Sequence, residues 1–382
     1  MIDILPIAIS IWIALPLFHA AGKLRAQAYW AGIFSRKQLK KKVISIGNLS
    51  FGGTGKTPVT AWLAGTLGKL GVSCSILTRG YGRQSTEKIK IIDPEDFQNP
   101  AAAEGDEVRI FRRHLKIPIG ISADRYAAGA TLELQYPDLV SKYSVQVHLL
   151  DDGFQHLQLH RDLDLLLIDA TNPWGARKNI PALLRESRGA MRRADAVLFT
   201  RCDLVKTGTG NRTLDELEEY VRRVHPRGRQ FRVEFRLKNF VEESTERALS
   251  IKEIRSRKPL AFCGLGNPDE FFSTLRIAEI EPAGCIRFPD HHRYDEADLR
   301  KLSKQVETLQ ADCLLTTEKD LMNLPSQTGF PVPHYWAAME TCVDGEQDFL
   351  DWIIGKLALR IPVRNPVTTR RSESSKARQV IR

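Results

Sequence analysis

An α/β architecture is predicted: two αβα domains of unequal size joined by a β-ribbon, behind an N-terminal hydrophobic helix. Three observations lead there. Residues 43–57, VISIGNLSFGGTGKT, read as a strand, a glycine loop and the start of a helix. Through residues 73–200, short continuous apolar runs alternate with helical patterns, which indicates a buried, mostly parallel sheet. A second αβ alternation begins at Pro259, after a stretch (FRVEFRL, 231–237) whose alternation suggests a linking ribbon. The expected divisions are 1–30 for the N-terminal helix, 31–228 for a P-loop nucleotide-binding domain, and 229–258 for the ribbon region. A smaller αβ domain follows over 259–360, then a basic, disordered tail over 361–382.

The composition bounds the rest. The chain has 382 residues, 42% of them hydrophobic and 27% charged, enough for two cores. Six cysteines occur without a C-x-x-C pair, which suits reduced thiols and gives no zinc site. The net charge is +10, but residues 1–42 and 360–382 each hold seven Lys/Arg against one acid, so the body between them carries −2. A nucleic-acid enzyme is expected to be basic in its body, so no nucleic-acid partner is expected. Basic ends on a near-neutral body suit an anionic membrane surface.

Ile4–Phe18 is uncharged for fifteen residues. A full span takes about 20, and Pro6 and Pro16 make this one irregular. Lys23, Arg25, Arg36, Lys37 and Lys40–Lys42 follow, placing the downstream chain on the cytoplasmic side. Without a basic start or an A-x-A site it does not read as a signal peptide. The expectation is an anchor embedded in, or lying on, the cytoplasmic face of the inner membrane; a buried core helix is the alternative.

The glycine loop is a phosphate cradle. Glycines let backbone N–H groups turn inward around phosphate oxygens, and a helix N-terminus adds partial positive charge. Ser50, Phe51, Gly52, Gly53, Thr54, Gly55, Lys56 and Thr57 form the nucleotide-binding run. Lys56 would reach the β- and γ-phosphates and the Thr57 hydroxyl would hold Mg²⁺. The strict G-x4-G-K-[ST] pattern asks for glycine at position 50, where Ser50 stands.

Further along, Gly47, Arg79, Asp151 and Asp169 fall at the carboxyl ends of predicted strands, where ligands sit in such sheets. Asp151-Asp152 follows an apolar strand and occupies the place of a magnesium acid. Adjacent carboxylates on a strand point to opposite faces, so one can serve the metal and the other the acceptor or a loop. A plain Asp-Asp-Gly turn is the bland alternative. Glu107, Gln155 and His156 join Asn48 and Arg79 as substrate or loop candidates. His156 and His160 lack a third ligand for a metal. Gly105-Asp106-Glu107 and Phe288-Pro289-Asp290-His291-His292 each supply groups for general-base work, and spacing alone does not pair Asp106 with His291. Thr200-Arg201-Cys202-Asp203 has the form of a guanine-reading loop with Arg for Lys, and Thr317–Asp320 is similar in kind.

Taken together, SIGNLSFGGTGKTP (45–58), TRGYGR (78–83), GDE (105–107), LLDDGFQHLQLHRD (149–162), FCGLGNP (262–268), FPDHHRY (288–294) and TTEKD (316–320) resemble the tetraacyldisaccharide 4'-kinases, the lipid A 4'-kinase family of Gram-negative bacteria. The resemblance runs to about residue 358. Val108 and Ser187 depart from it, since the family usually has proline at both places. The resemblance implies ATP and Mg²⁺ as cofactors and a lipid disaccharide 1-phosphate as acceptor, with lipid IVA as product. It also implies a cleft between two αβα domains that closes around nucleotide, and a base formed by Asp106 with His291. The competing class is a membrane-associated partition or targeting ATPase, whose signature lysine would fall where Phe51 stands.

Overall fold

The computed structural model describes residues 22–29, 31–80, 87–96, 104–137, 145–176, 182–207, 214–325 and 327–359. The apolar run Ile4–Phe18 and the basic tail lie outside them. The described chain opens in a helical segment over 22–29. Among the described residues no helix is long and apolar enough to cross a membrane.

The first block is built on β1 (Lys42–Asn48), buried along all but its first residue. β1 pairs in parallel with β5 (Val147–Asp151) on one side and β6 (Leu163–Asp169) on the other. Beyond β5 come β2 (Cys74–Thr78) and β4 (Ile119–Ser122), both parallel, and the antiparallel edge strand β3 (Ile89–Ile92). Beyond β6 comes β7 (Ala196–Thr200). Runs such as LDLLLID are apolar on both faces because helices cover both. Three of these helices position the site: α1 (Lys56–Lys69), α2 (Asp106–His114) and α3 (Arg125–Gln135).

The ribbon is one long strand and its partner. β8 (Arg229–Glu242) begins parallel to β7, then pairs antiparallel with β13 (His334–Val343), from Val233–Val343 to Glu242–Tyr335. The register shifts once, at Ala338/Met339. On the far side β13 continues into β12 (Cys313–Thr317), β10 (Pro259–Cys263) and β11 (Gly284–Arg287), all parallel. One sheet therefore runs through both blocks, and the ribbon crosses from one to the other.

Two cores flank the ribbon. The first gathers Ile44, Ile46, Leu63, Phe111, Leu149 and Leu165; the second gathers Phe240, Ala261, Phe271, Phe272 and Leu315. The closing helix Glu346–Leu357 is expected from sequence in the smaller domain. It packs instead into the first core through Phe349, Leu350, Ile353 and Leu357. Phe349 meets Phe231 at 4.6 Å and Trp62 at 5.9 Å between ring centroids. β13 carries the chain back across the ribbon, so the C-terminal helix returns to the block where the chain began.

Candidate active site

The phosphate loop leaves the carboxyl end of β1 and turns into α1 at Gly55, whose φ is 82°. A side chain there is excluded twice over, by the left-handed backbone and by the Phe235 ring, 2.4 Å from where a Cβ would stand. Gly47 lies so close to the Phe154 backbone that a Cβ would come within 2.6 Å of its nitrogen. Asn48 ties the loop's two ends: its side-chain nitrogen donates to the Ser50 carbonyl, and its oxygen accepts from Lys56 Nζ at 3.3 Å. Ser50, where the strict pattern has glycine, is buried and bridges to Leu184. Phe51 donates its N–H to the Leu183 carbonyl and leaves its ring partly exposed under Arg185. The Thr54 carbonyl accepts from the Thr200 hydroxyl.

The acids beside the loop are not equivalent. Asp151 ends β5 and is 1% exposed; one oxygen accepts from Thr60, and Oδ2 has no hydrogen-bond partner. Burial, then the carboxylates of Glu107 and Asp152, push its pKa up to about 8. Asp152 has left the strand, with φ of 51°. β5 ends at Asp151, so the strand alternation expected from sequence does not extend to Asp152. Asp152 accepts from Arg185 Nη1 at 2.8 Å and lies 3.5 Å from Lys56 Nζ. Burial opposes its ionisation, but Lys56 and Arg185 hold its carboxyl below the usual range. Glu107 is pushed the other way, first by burial and then by Asp106.

α2 brings the second block to this centre. Asp106, in its first turn, is 5% exposed, and its Oδ2 lies 2.8 Å from His291 Nδ1. His291 sits after β11 with φ of 56°, so the FPDHH stretch turns back toward the first block. The hydrogen bond to Asp106 raises the His291 pKa. Burial resists ionisation of Asp106, yet the bond and charge of His291 hold its carboxyl low. Lys319 Nζ lies 3.3 Å from His291 Nε2 and 2.9 Å from Asp290. The same helix reaches the second block twice more, through Arg109 to Asn323 and His114 to Glu318. Val108 occupies its third position, where the N–H precedes the first helical bond, so valine and proline both fit.

Sequence spacing left Asp106 and His291 unpaired and gave no role to Lys319 or Arg185. Lys319 belongs to the TTEKD stretch, read there only as a possible base-recognition loop. The other such loop is corrected by packing. The Arg201 guanidinium is engaged by Asp169 at 2.7 Å and Glu270 at 2.6 Å, and cannot serve as a guanine-reading cation. Burial, with Asp169 adding to it, lifts Glu270 to about 7.

A cleft of about 860 Å³ opens between α1, the ribbon and the second block, lined by Gly55, Thr57, Trp62, Phe235, Glu270 and Lys319. It meets the phosphate loop through Gly55 and Thr57; Lys56, Asp151, Asp152 and His291 lie outside its lining. Gln155 donates to the Asn48 carbonyl, His156 follows it, and Arg79 is exposed just after β2.

Residues 7–358 match the family model described as tetraacyldisaccharide-1-P 4'-kinase. A relative with the name tetraacyldisaccharide 4'-kinase from Geobacter metallireducens is 37% identical over 85% of this chain and 90% of its own. One of the same name from Koribacter versatilis is 34% identical over 88% and 96%. The crystal structure of LpxK from Aquifex aeolicus in complex with ATP superposes with a TM-score of 0.68 at 26% identity, over 92% of this chain and 99% of that one.

Proposed function

The chain belongs to the tetraacyldisaccharide 4'-kinase family, and on that premise we propose how its residues transfer the γ-phosphoryl of ATP to the 4'-hydroxyl of a tetraacyl disaccharide 1-phosphate. The observation that carries the reading is the Asp106–His291 pair, made across the two blocks beside a phosphate loop. The loop N–H groups and Lys56 hold the β- and γ-phosphates, and the 860 Å³ cleft takes the nucleoside. Asp106 accepts a hydrogen bond from His291 Nδ1–H and orients the ring, leaving Nε2 to take the proton of the sugar hydroxyl. Lys319 stands at Nε2 in this arrangement and gives way to the acceptor. Asp152, held by Lys56 and Arg185, keeps the lysine aimed across the loop.

Mg²⁺ fits the donor set. The orphaned Asp151 Oδ2 and the Thr57 hydroxyl are hard oxygens, and Mg²⁺ needs few protein ligands when phosphates and waters supply the rest. Among the described residues no three His, Cys, Asp or Glu side chains form a cage, which such a site does not require. Bound there, Mg²⁺ would neutralise charge on the phosphates and restore the ionised form of Asp151. The enzyme works at the cytoplasmic face of the inner membrane, attached through its apolar N-terminus and basic ends. Exposed Leu24, Ile33 and Phe34, just after the apolar run, support that placement.

The test is purified protein with labelled ATP, Mg²⁺ and the disaccharide lipid, scored for a bis-phosphorylated product. ATP turnover that ignores the lipid would instead favour a partition or targeting ATPase.

A further inference from the structure

A second hollow, of about 610 Å³, opens at the amino ends of β7 and β8, the far end of the parallel strands from the phosphate loop. Among its described lining residues five are cations, Arg192, Arg193, Arg227, Arg229 and Lys356, and one is an acid, Asp195. Two of the five are already paired, Arg193 with Glu186 at 2.7 Å and Lys356 with Asp195 at 3.6 Å. Arg192 donates to the Val224 carbonyl at 2.9 Å, and Arg229 lies over the Trp352 ring at 5.6 Å. Arg192, Arg227 and Arg229 are all exposed, and among the described residues no carboxylate pairs with any of them. The near-neutral charge of the body therefore hides a locally basic face, which the transfer chemistry does not use.

The frame that carries these arginines is fixed. The buried His225 ring donates from Nε2 to the Ala194 carbonyl at 2.8 Å, and Gly228 lies so close to that ring that a Cβ would not fit. Arg229 donates its N–H to the Asp195 carbonyl. The turn over 225–229 is thus tied to the residues before β7. Donors held on such a frame suit an anion with several acceptor oxygens. Trp352 is an aromatic wall of the hollow, but Arg229 already covers its ring, so a nucleobase has no free face to stack on there.

The hollow adjoins the segment that follows the apolar N-terminal run. Asp195 and Asp164 exchange hydrogen bonds at 2.9 Å, and Asp164 pairs with Arg161 at 2.9 Å. The loop before Arg161 bonds to Lys37 through both the N–H and the carbonyl of that lysine. Burial lowers the Arg161 pKa, Asp164 opposes it, and the charges of Arg193 and Arg36 lower it further. Exposed Ile33 and Phe34 stand just before Arg36. A basic hollow and apolar side chains fit to enter a bilayer are therefore joined by one run of contacts.

We propose that the hollow formed by Arg192, Arg227 and Arg229 binds the phosphodiester headgroup of an anionic phospholipid, and so holds the catalytic body against the membrane beside the N-terminal segment. The inference rests on the membrane placement given above and adds to it a site on the body. An anionic leaflet attracts each basic residue near its surface, and guanidinium groups grip phosphate oxygens in pairs. The acceptor is not the ligand here, because the transferring groups stand at the carboxyl ends of β1 and β5, at the other end of the strands. A soluble phosphate has the same chemistry as the headgroup, and the assay separates the two sources.

The assay measures partition of the full chain onto sedimented vesicles, of phosphatidylcholine alone and of phosphatidylcholine with phosphatidylglycerol. The parent should bind the phosphatidylglycerol vesicles more tightly. The site variant, Arg192→Gln with Arg227→Gln and Arg229→Gln, should lose about tenfold or more of that partition, with binding to neutral vesicles unchanged. A control variant, Arg276→Gln with Arg300→Gln and Lys304→Gln, removes three exposed charges from the second block and should lose little. The melting temperature and the kcat/KM in neutral micelles report that each variant is folded. Arg227→Gln alone, at an exposed turn, carries the test at a few-fold loss if the triple site variant does not fold. Equal losses in the site and control variants mean general charge attraction and overturn the inference, as does no loss in the site variant. Saturable binding of inorganic phosphate without vesicles, lost in the site variant, assigns the hollow to a soluble anion and also overturns it. A parent that binds both vesicles alike overturns the inference and leaves attachment through the N-terminus standing. A parent that binds neither overturns the membrane placement as well.

Discussion

Removing either member of the Asp106–His291 pair should cost rate without costing nucleotide binding. A positioned base contributes about 10²–10⁴-fold, so His291→Ala should lose roughly 3–5 kcal/mol of transition-state stabilisation. The geometry places this loss in kcat. The pair closes at 2.8 Å between the blocks, and Lys56 hydrogen-bonds Asn48 rather than either of its members. Because Asp106 raises the His291 pKa, and a base works in its neutral form, the rate should fall as pH drops through that raised value. Asp106→Asn removes the carboxylate, so the acidic limb should move to lower pH while the plateau falls. The double variant should lose little more than the worse single one, since groups acting as a unit are not additive. Stability obeys the same signs. The raised His291 value contributes stability that is full below the unfolded value of about 6.5 and lost as pH rises through the folded one. The lowered Asp106 value contributes above about 3.9 and is lost as pH falls through the folded one. The pair therefore stabilises fully between about 3.9 and about 6.5, and less as pH moves from there toward either folded value. Rate–pH profiles of the four proteins decide the matter: additive losses, or a limb that stays in place in both single variants, would refute the single-base reading.

Lys56→Ala should lower turnover by about 10²-fold or more, because one preorganised charge at the phosphate bridge is removed; rates within a few-fold of the parent would remove the loop from the mechanism. Asp151→Asn should raise the Mg²⁺ concentration needed for half-maximal rate, whereas Asp152→Asn, whose carboxylate is held by Lys56 and Arg185, should chiefly lower kcat. Identical metal titrations for parent and Asp151→Asn would leave Mg²⁺ without this ligand. Deleting residues 1–22 should release the protein from sedimented membranes while ATP binding persists; full sedimentation of the truncated chain would shift the attachment to the basic tail, testable by salt.

The phosphate loop was legible because its chemistry is local: glycines, lysine and threonine at fixed offsets need only the strand before them and the helix after. The strand ends were legible for a similar reason, since β5 and β6 are apolar throughout and stop at Asp151 and Asp169. What failed to show was everything that depends on which surface meets which. The pattern of Glu346–Leu357 says that Phe349, Leu350 and Ile353 are covered, but not that Phe231 and Trp62 cover them. The ribbon was half visible, because FRVEFRL alternates while its partner β13 keeps a continuous apolar run, YWAAM, at its start. Asp106 and His291 are 185 residues apart, and only their likeness to a known family joined them in sequence. Lys319 escaped because its role comes from the fold of the second block around His291.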